Sequence, residues 1–191
     1  LIIAIGLLSA CQPTTDKQHE NLLTQKYANT LNVHGIPTDP KDRSVYSFSD
    51  LGAWHSYTLS PQPSGGFVGP YLMTDDNGLW ASDQLVTLKL SANEQPLDWS
   101  TAQMIRSEYW PGRLIQVYQL ADFTITQQLI FISDRSTLIE YEIKSNKKEA
   151  LIKSHFEVNS WLDQRELKVA ENELLLHTDS SRTQLTLRFQ S

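Results

Sequence analysis

The feature that most constrains the fold is a two-residue alternation of apolar and polar side chains, which recurs from residue 45 onward. In the longest stretch, one face of the strand carries Phe123, Ile125, Gln127, Leu129 and Phe131, and the other face carries Thr124, Thr126 and Gln128. Successive side chains of a β-strand point to opposite faces, so the pattern predicts strands with one buried and one solvated face. Such strands are typical of antiparallel sheets. We therefore expect an all-β fold, and specifically an antiparallel β-sandwich.

Turn sequences separate the predicted strands. Asn77-Gly78 predicts a two-residue hairpin turn, and Ala121-Asp122 predicts a tight link between two long strands. Five of the eight glycines lie between Gly52 and Gly78, and none follows Gly112. Glycine permits backbone conformations and close approaches that other residues resist. The segment from residue 50 to 78 is therefore where we expect loops with a functional role.

The N-terminus predicts a secretory signal. Residues 1–10 are apolar or small and carry no charge. At about 1.5 Å per helical residue, this run is too short to span a bilayer, but it fits the apolar core of a signal peptide without its basic start. The alternative is a buried apolar element that ends at an inert cysteine.

Cys11 is the single cysteine of the chain and directly follows the apolar run. Leu8-Ser9-Ala10-Cys11 matches the bacterial lipobox, in which the cysteine is lipidated and becomes the new N-terminus. We expect a membrane-anchored bacterial lipoprotein, at the outer membrane or on the periplasmic side, with a lipid anchor at Cys11. Residues 11–44 then form the anchor and a flexible tether, and residues 45–191 form the sandwich.

Composition and motifs exclude several classes of function. The formal net charge of −6 argues against nucleic acid as a partner. The sequence has no Gly-x-Ser-x-Gly elbow, His-Glu-x-x-His motif or phosphate-binding glycine loop. Its five histidines lack metal-ligand spacing, and Asp75-Asp76-Asn77-Gly78 fits a hairpin better than a calcium loop. We predict no metal site, no cofactor and no catalytic residue within this chain.

Aromatic residues are concentrated in the glycine-rich segment and include Trp54, Phe67 and Trp80. Aromatic faces pack well against the C–H groups of sugar rings, which makes Trp54 a candidate for sugar contact. The alternative is that these residues belong to the core, as most aromatic residues do.

Two motifs in this segment carry a resemblance to a known family. Asp50-Leu51-Gly52-Ala53-Trp54-His55 is followed by Gly65-Gly66-Phe67-Val68-Gly69-Pro70, and then by Ala81-Ser82. Together they resemble the N-terminal domain of the YgjK-type glucosidases of glycoside hydrolase family 63. The resemblance implies a β-sandwich that packs against a C-terminal (α/α)₆ barrel. In that family, the barrel holds the general acid and base of an inverting α-glycosidase and binds an oligosaccharide substrate.

The resemblance also implies a role for individual residues. Trp54, His55, Gly65, Gly66 and Phe67 become candidates for the substrate rim or the interface between the domains. The chain contains no helical-repeat region that could form the barrel, so no catalytic residue can be assigned. We expect the chain to be a fragment, truncated within its sandwich, of a longer enzyme.

Two functions follow from these observations. The first is a supporting domain of an α-glucosidase-like hydrolase. The alternative is a stand-alone lipoprotein that binds carbohydrate at the membrane surface. A small independent enzyme on a sandwich, or a purely structural lipoprotein, also stays open on the residues alone.

Overall fold

The computed structural model describes residues 27–73, 78–147 and 152–162, together with the backbone of three later strands. The predicted signal segment, Cys11 and the first part of the tether lie outside the described residues. The strands are β1 (His55–Thr58), β2 (Val68–Leu72), β3 (Leu79–Trp80), β4 (Val86–Ala92), β5 (Gln95–Pro96), β6 (Gln103–Trp110), β7 (Arg113–Leu120), β8 (Phe123–Ser133), β9 (Ser136–Ser145), β10 (Ile152–Val158), β11 (Lys168–Ala170), β12 (Glu173–His177) and β13 (Gln184–Arg188). A short 3₁₀ helix spans Trp99–Thr101.

The named strands form antiparallel sheets, as the alternation predicts. The largest sheet has the order β6-β7-β8-β9 and is built from consecutive strands. Three smaller sheets have the orders β1-β2-β3, β10-β4-β5 and β11-β12-β13. In the described part of the chain, no helix is both long and apolar enough to cross a membrane.

Two hydrophobic clusters show that the β1-β2-β3 and β10-β4-β5 sheets pack against the four-stranded sheet. The first joins the β1–β3 side to the end of the large sheet that contains Tyr109 and Phe131. The second joins β4 to the other end, which contains Tyr118 and Phe123. Two sheets that bury their inner faces against each other are the arrangement of a β-sandwich. The predicted fold class is therefore confirmed.

The long strand β8 shows the predicted alternation directly. Phe123, Ile125, Gln127, Leu129 and Phe131 are all buried, whereas the residues between them are half-buried up to Ile130. The inward row is apolar except for Gln127. The period of two therefore sets which face of this strand enters the core.

Two buried glutamines lie between the hydrophobic clusters. They hold residues 60–66, the crossing segment that runs between the sheets, against the large sheet. The side-chain amide of Gln127 donates to the carbonyl of Ser64 at 2.8 Å. The amide of Gln116 donates to the carbonyl of Ser60 at 3.4 Å. Buried backbone carbonyls need such partners, so the glutamines fix the position of residues 60–66.

The predicted turn at Asn77-Gly78 is only partly right. Strands β2 and β3 do form an antiparallel hairpin, but Leu72 pairs with Leu79. The connection therefore runs from Met73 to Gly78 and is longer than the predicted two residues; Asn77 itself lies outside the described residues. Gly78 has a φ of +64°, and a Cβ atom there would overlap the hydroxyl of Tyr71.

The tight link at Ala121-Asp122 is confirmed. Leu120 pairs with Phe123, so two residues connect β7 to β8. Ala121 adopts a φ of +49°, which is the left-handed conformation that two-residue hairpin turns commonly require.

Candidate functional site

The site begins with a turn that pushes an apolar side chain into solvent. In the Asp50-Leu51-Gly52-Ala53 turn, the amide of Ala53 donates to the carbonyl of Asp50 at 2.9 Å. Leu51 has a φ of +52° and Gly52 has a φ of +68°. The left-handed conformation costs a residue with a Cβ roughly 1–2 kcal/mol, and it leaves Leu51 59% exposed. A strained, exposed leucine marks this turn as a candidate contact surface.

Backbone hydrogen bonds connect Trp54 to two neighbouring segments. Its amide donates to the carbonyl of Asp134, in the β8–β9 turn, at 2.9 Å. Its carbonyl accepts from the amide of Met73, at the end of β2, at 2.8 Å. The Trp54 side chain is 55% exposed. Its backbone is therefore held in place while its ring faces solvent.

Five exposed apolar residues lie within four residues of these backbone connections, and we call them the apolar end of the sandwich. Their exposed fractions are 59% for Leu51, 55% for Trp54, 37% for Met73, 59% for Ile132 and 48% for Leu138. Ile132 and Leu138 flank the turn that accepts the Trp54 amide. Exposed apolar side chains on connected segments make this end of the sandwich a candidate interaction surface.

His55 anchors the loop that carries Trp54 through contacts with the large sheet. Its Nε2 atom hydrogen-bonds the hydroxyl of Thr137 on β9, and its ring lies 5.3 Å from the ring of Phe131. Burial lowers the pKa of His55 from its usual value, which favours the neutral imidazole. Burial also raises the pKa of the neighbouring Tyr57, whose hydroxyl hydrogen-bonds Thr137 as well. Thr137 thus joins two half-buried aromatic rings of β1 to the large sheet.

Gly65 and Gly66 lie in the interior, where the chain crosses between the sheets. The amide of Leu88 donates to the carbonyl of Gly65 at 2.8 Å. A Cβ at Gly65 would overlap the carbonyl of Leu88 and lie 2.9 Å from Nε1 of Trp99. A Cβ at Gly66 would overlap the carbonyl of Val86. Only glycine allows this backbone to lie directly against β4.

A comparison with protein families agrees with this architecture. The family model described as "Glucosidase YgjK, N-terminal" matches residues 36–174, which is more than half of the chain. The chain belongs to this family of glucosidase N-terminal domains. The resemblance seen in the sequence motifs is therefore confirmed at the level of the family.

The glucosidase N-terminal domain does not bring the five predicted rim residues together at its surface. Trp54 is exposed and His55 is half-buried beside it, but Gly65, Gly66 and Phe67 are buried. Phe67 belongs to the first hydrophobic cluster. The glycines and Phe67 shape the interior beneath the site, and a rim or interface role for the five residues stays a prediction.

Five residues at the site were missed by sequence reasoning: Leu51, Met73, Ile132, Thr137 and Leu138. A signal for two of them exists, because Phe131-Ile132 and Leu138-Ile139 interrupt the alternation with consecutive apolar residues. At a strand end, such a pair places one apolar side chain on the solvated face. Thr137 offers no comparable signal, since its partners come from β1.

No group of three or more His, Cys, Asp or Glu side chains that could hold a metal ion is found among the residues that the structure describes. The side chains of the apolar end are an exposed indole, a thioether and aliphatic groups, which pack against apolar surfaces.

Gly65→Ala tests whether the buried glycine is needed for packing. The added methyl group meets a backbone carbonyl that cannot rotate away, so we expect the free energy of unfolding to fall by about 3 kcal/mol. Gly52→Ala is the control: the φ of +68° at Gly52 is unfavourable for alanine, but no atom lies within 4 Å of the new Cβ. We expect a loss of about 1 kcal/mol there. Urea denaturation measures both, and equal losses would contradict the packing role.

Proposed function

We propose that this chain is the N-terminal β-sandwich of an α-glucosidase-like glycoside hydrolase, in which it supports a catalytic (α/α)₆ barrel. The observation that carries the proposal is the family match over residues 36–174. The domain contributes packing and shape, and the hydrolytic carboxylates belong to the barrel.

The apolar end supplies the surface for this contact. Leu51, Trp54 and Ile132 are each more than half exposed. Burial of apolar surface yields about 25 cal/mol per Å², so covering these side chains favours association with a second domain. The hydrogen bonds from Trp54 to Asp134 and Met73 hold the surface in one shape before contact, which reduces the entropy lost on docking.

Trp54 is the residue proposed to reach the substrate. Its ring is exposed while its backbone is fixed on both sides. In an inverting hydrolase, the acid and base lie about 6.5–9.5 Å apart so that a water molecule fits between them. An indole at the rim orients a sugar ring toward such a pair by stacking on its C–H face. His55 and Thr137 act one step further away, by holding the loop that carries Trp54.

The first test is hydrolysis by the intact protein. We expect it to cleave α-linked glucosides and to release the β-anomer first, as observed by proton NMR. Trp54→Ala should lower kcat/KM about tenfold through the loss of one stacking contact. Ile105→Ala is the control, because Ile105 is 57% exposed but lies on β6, outside the apolar end.

The outcomes separate the two parts of the proposal. An intact protein that cleaves no α-glucoside in a panel of linkages would contradict the hydrolase assignment. Full activity in Trp54→Ala would contradict only the rim role of the indole.

The alternative function is a stand-alone carbohydrate-binding lipoprotein, and the exposed ring of Trp54 is the observation that favours it. Calorimetry with α-glucans and oligosaccharides distinguishes the two. Binding without hydrolysis by the intact protein, with loss of binding in Trp54→Ala, would favour the binding module.

We also propose that Cys11 carries a lipid anchor and that the protein is a bacterial lipoprotein, at the outer membrane or on the periplasmic side. Support comes from the lipobox Leu8-Ser9-Ala10-Cys11 and the polar residues after it. Cys11→Ser should move the protein from the membrane fraction to the soluble fraction, because no acyl chain can be attached. A variant that stays with the membranes after a high-salt wash would contradict the anchor.

A further inference from the structure

A polar cleft lies on the outer face of the β4–β10 pair. Its volume of about 540 Å³ falls within the roughly 300–1,000 Å³ that is usual for small-molecule sites. The cleft combines residues from the segment that enters β4 with residues from the end of β10. Its polar lining consists of Asp83, Gln84, Thr87, Lys89, Glu157 and Asn159.

Backbone hydrogen bonds hold the segment that enters β4 in one conformation. The amide of Gly69 donates to the carbonyl of Asp83 at 3.2 Å, and the amide of Leu85 donates to the carbonyl of Gly69 at 3.1 Å. The amide of Asn159 donates to the carbonyl of Leu85 at 3.0 Å, which joins the two sides of the cleft. Gly69 lies near the start of β2, whereas the apolar end lies beyond the last residue of β2, so the cleft is a separate place on the sandwich.

Several lining side chains are also held in place. The Oδ1 atom of Asp83 accepts from the amide of Gln84 at 2.8 Å. The side-chain nitrogen of Gln84 is buried beside Gly66, where a Cβ atom would overlap it. The ammonium of Lys89 lies 3.3 Å from Oε2 of Glu157. Polar groups that are fixed before a ligand arrives lose less entropy when it binds.

We propose that this cleft is a second saccharide site, which holds glucose units of an α-linked glucan away from the apolar end. The choice of glucan rests on the proposed hydrolase function, and the site itself rests on the lining groups. A sugar ring presents neighbouring hydroxyl groups, each of which can donate and accept a hydrogen bond. Carboxylates accept such bonds, an ammonium donates them, and amides and hydroxyls do both.

The charges of the cleft favour a neutral ligand. Two carboxylates, of Asp83 and Glu157, face one ammonium, of Lys89. The excess of negative charge opposes a phosphorylated or sulfated sugar. The ammonium beside Glu157 opposes a bound metal ion at the same carboxylate. An uncharged polyhydroxylated ligand meets neither obstacle.

Affinity electrophoresis of the intact protein in gels that contain soluble starch tests the site. We expect starch to retard the wild type, and Glu157→Gln or Asp83→Asn to raise the Kd for starch about tenfold through the loss of one charge-assisted hydrogen bond. Both variants keep the size of the side chain, and the amide oxygen that replaces Oδ1 of Asp83 can still accept from Gln84. Hydrolysis of p-nitrophenyl α-glucoside, a single glucose unit that reports on the catalytic site, should keep its wild-type kcat/KM.

Glu142→Gln is the matched control. Glu142 is an outward carboxylate on β9 with a lysine partner at 2.8 Å, and its side chain is 56% exposed, compared with 58% for Glu157. It should leave the Kd for starch unchanged, and thermal melts check that every variant folds.

The outcomes separate this site from the proposed hydrolase function. A wild type that starch does not retard, or cleft variants that bind starch as tightly as the wild type, would overturn the site. Retardation that the cleft variants lose, in a protein that cleaves no α-glucoside, would support the site and contradict the hydrolase function. Equal weakening by Glu142→Gln would also overturn the site, since it would show a general effect of surface charge.

Discussion

The structure depends on one backbone contact, where Gly65 and Gly66 lie directly against β4. The Gly65 carbonyl accepts from the Leu88 amide at 2.8 Å, and the hydroxyl of Tyr141 also approaches it, at 3.3 Å. The indole of Trp99 lies beside Gly65 and donates a hydrogen bond to the Leu88 carbonyl at 2.8 Å. Because no side chain separates the two backbones, the crossing segment fits between the sheets with a core cluster on either side.

The position of the apolar end follows from that contact. With the crossing segment fixed, Phe67 enters the first cluster and β2 continues in register with β1. Strand β1 then begins at His55, which reaches Thr137 on the large sheet. Trp54 comes immediately before β1, so its loop is held at the surface while its ring stays exposed. The packing of interior residues thus determines where the apolar end lies, although its exposed side chains are not part of the interior.

The fold could be predicted because alternation reports directly which side of a strand is buried. Along β8 the predicted inward residues are all buried, Gln127 included. The hairpin after β2 was predicted less well, since the turn motif could not show that the strand pairing stops at Leu72 and Leu79. The motifs alone also could not show that Trp54 and Gly65 differ in burial. Both belong to family motifs, yet one is exposed and the other is buried, and only long-range packing decides between them.

The candidate site was predicted in part for the same reason. Trp54 and His55 are adjacent in sequence and stay together in space. Thr137 contacts His55 across the interface between two sheets, and Ile132 and Leu138 flank the turn whose Asp134 carbonyl accepts from the Trp54 amide. A local pattern does not reveal these contacts between sheets. The lipid anchor at Cys11 lies outside the described residues and stays a prediction.

The measurement that tests the account most directly is the reactivity of single cysteines in the intact protein, in a Cys11→Ser background. Leu51→Cys probes the apolar end, and Ile105→Cys probes β6; the native side chains are 59% and 57% exposed in the sandwich. If a catalytic domain covers the apolar end, a maleimide should label the first cysteine about tenfold more slowly than the second. Equal labelling rates would contradict the account, because they would show that the apolar end faces solvent.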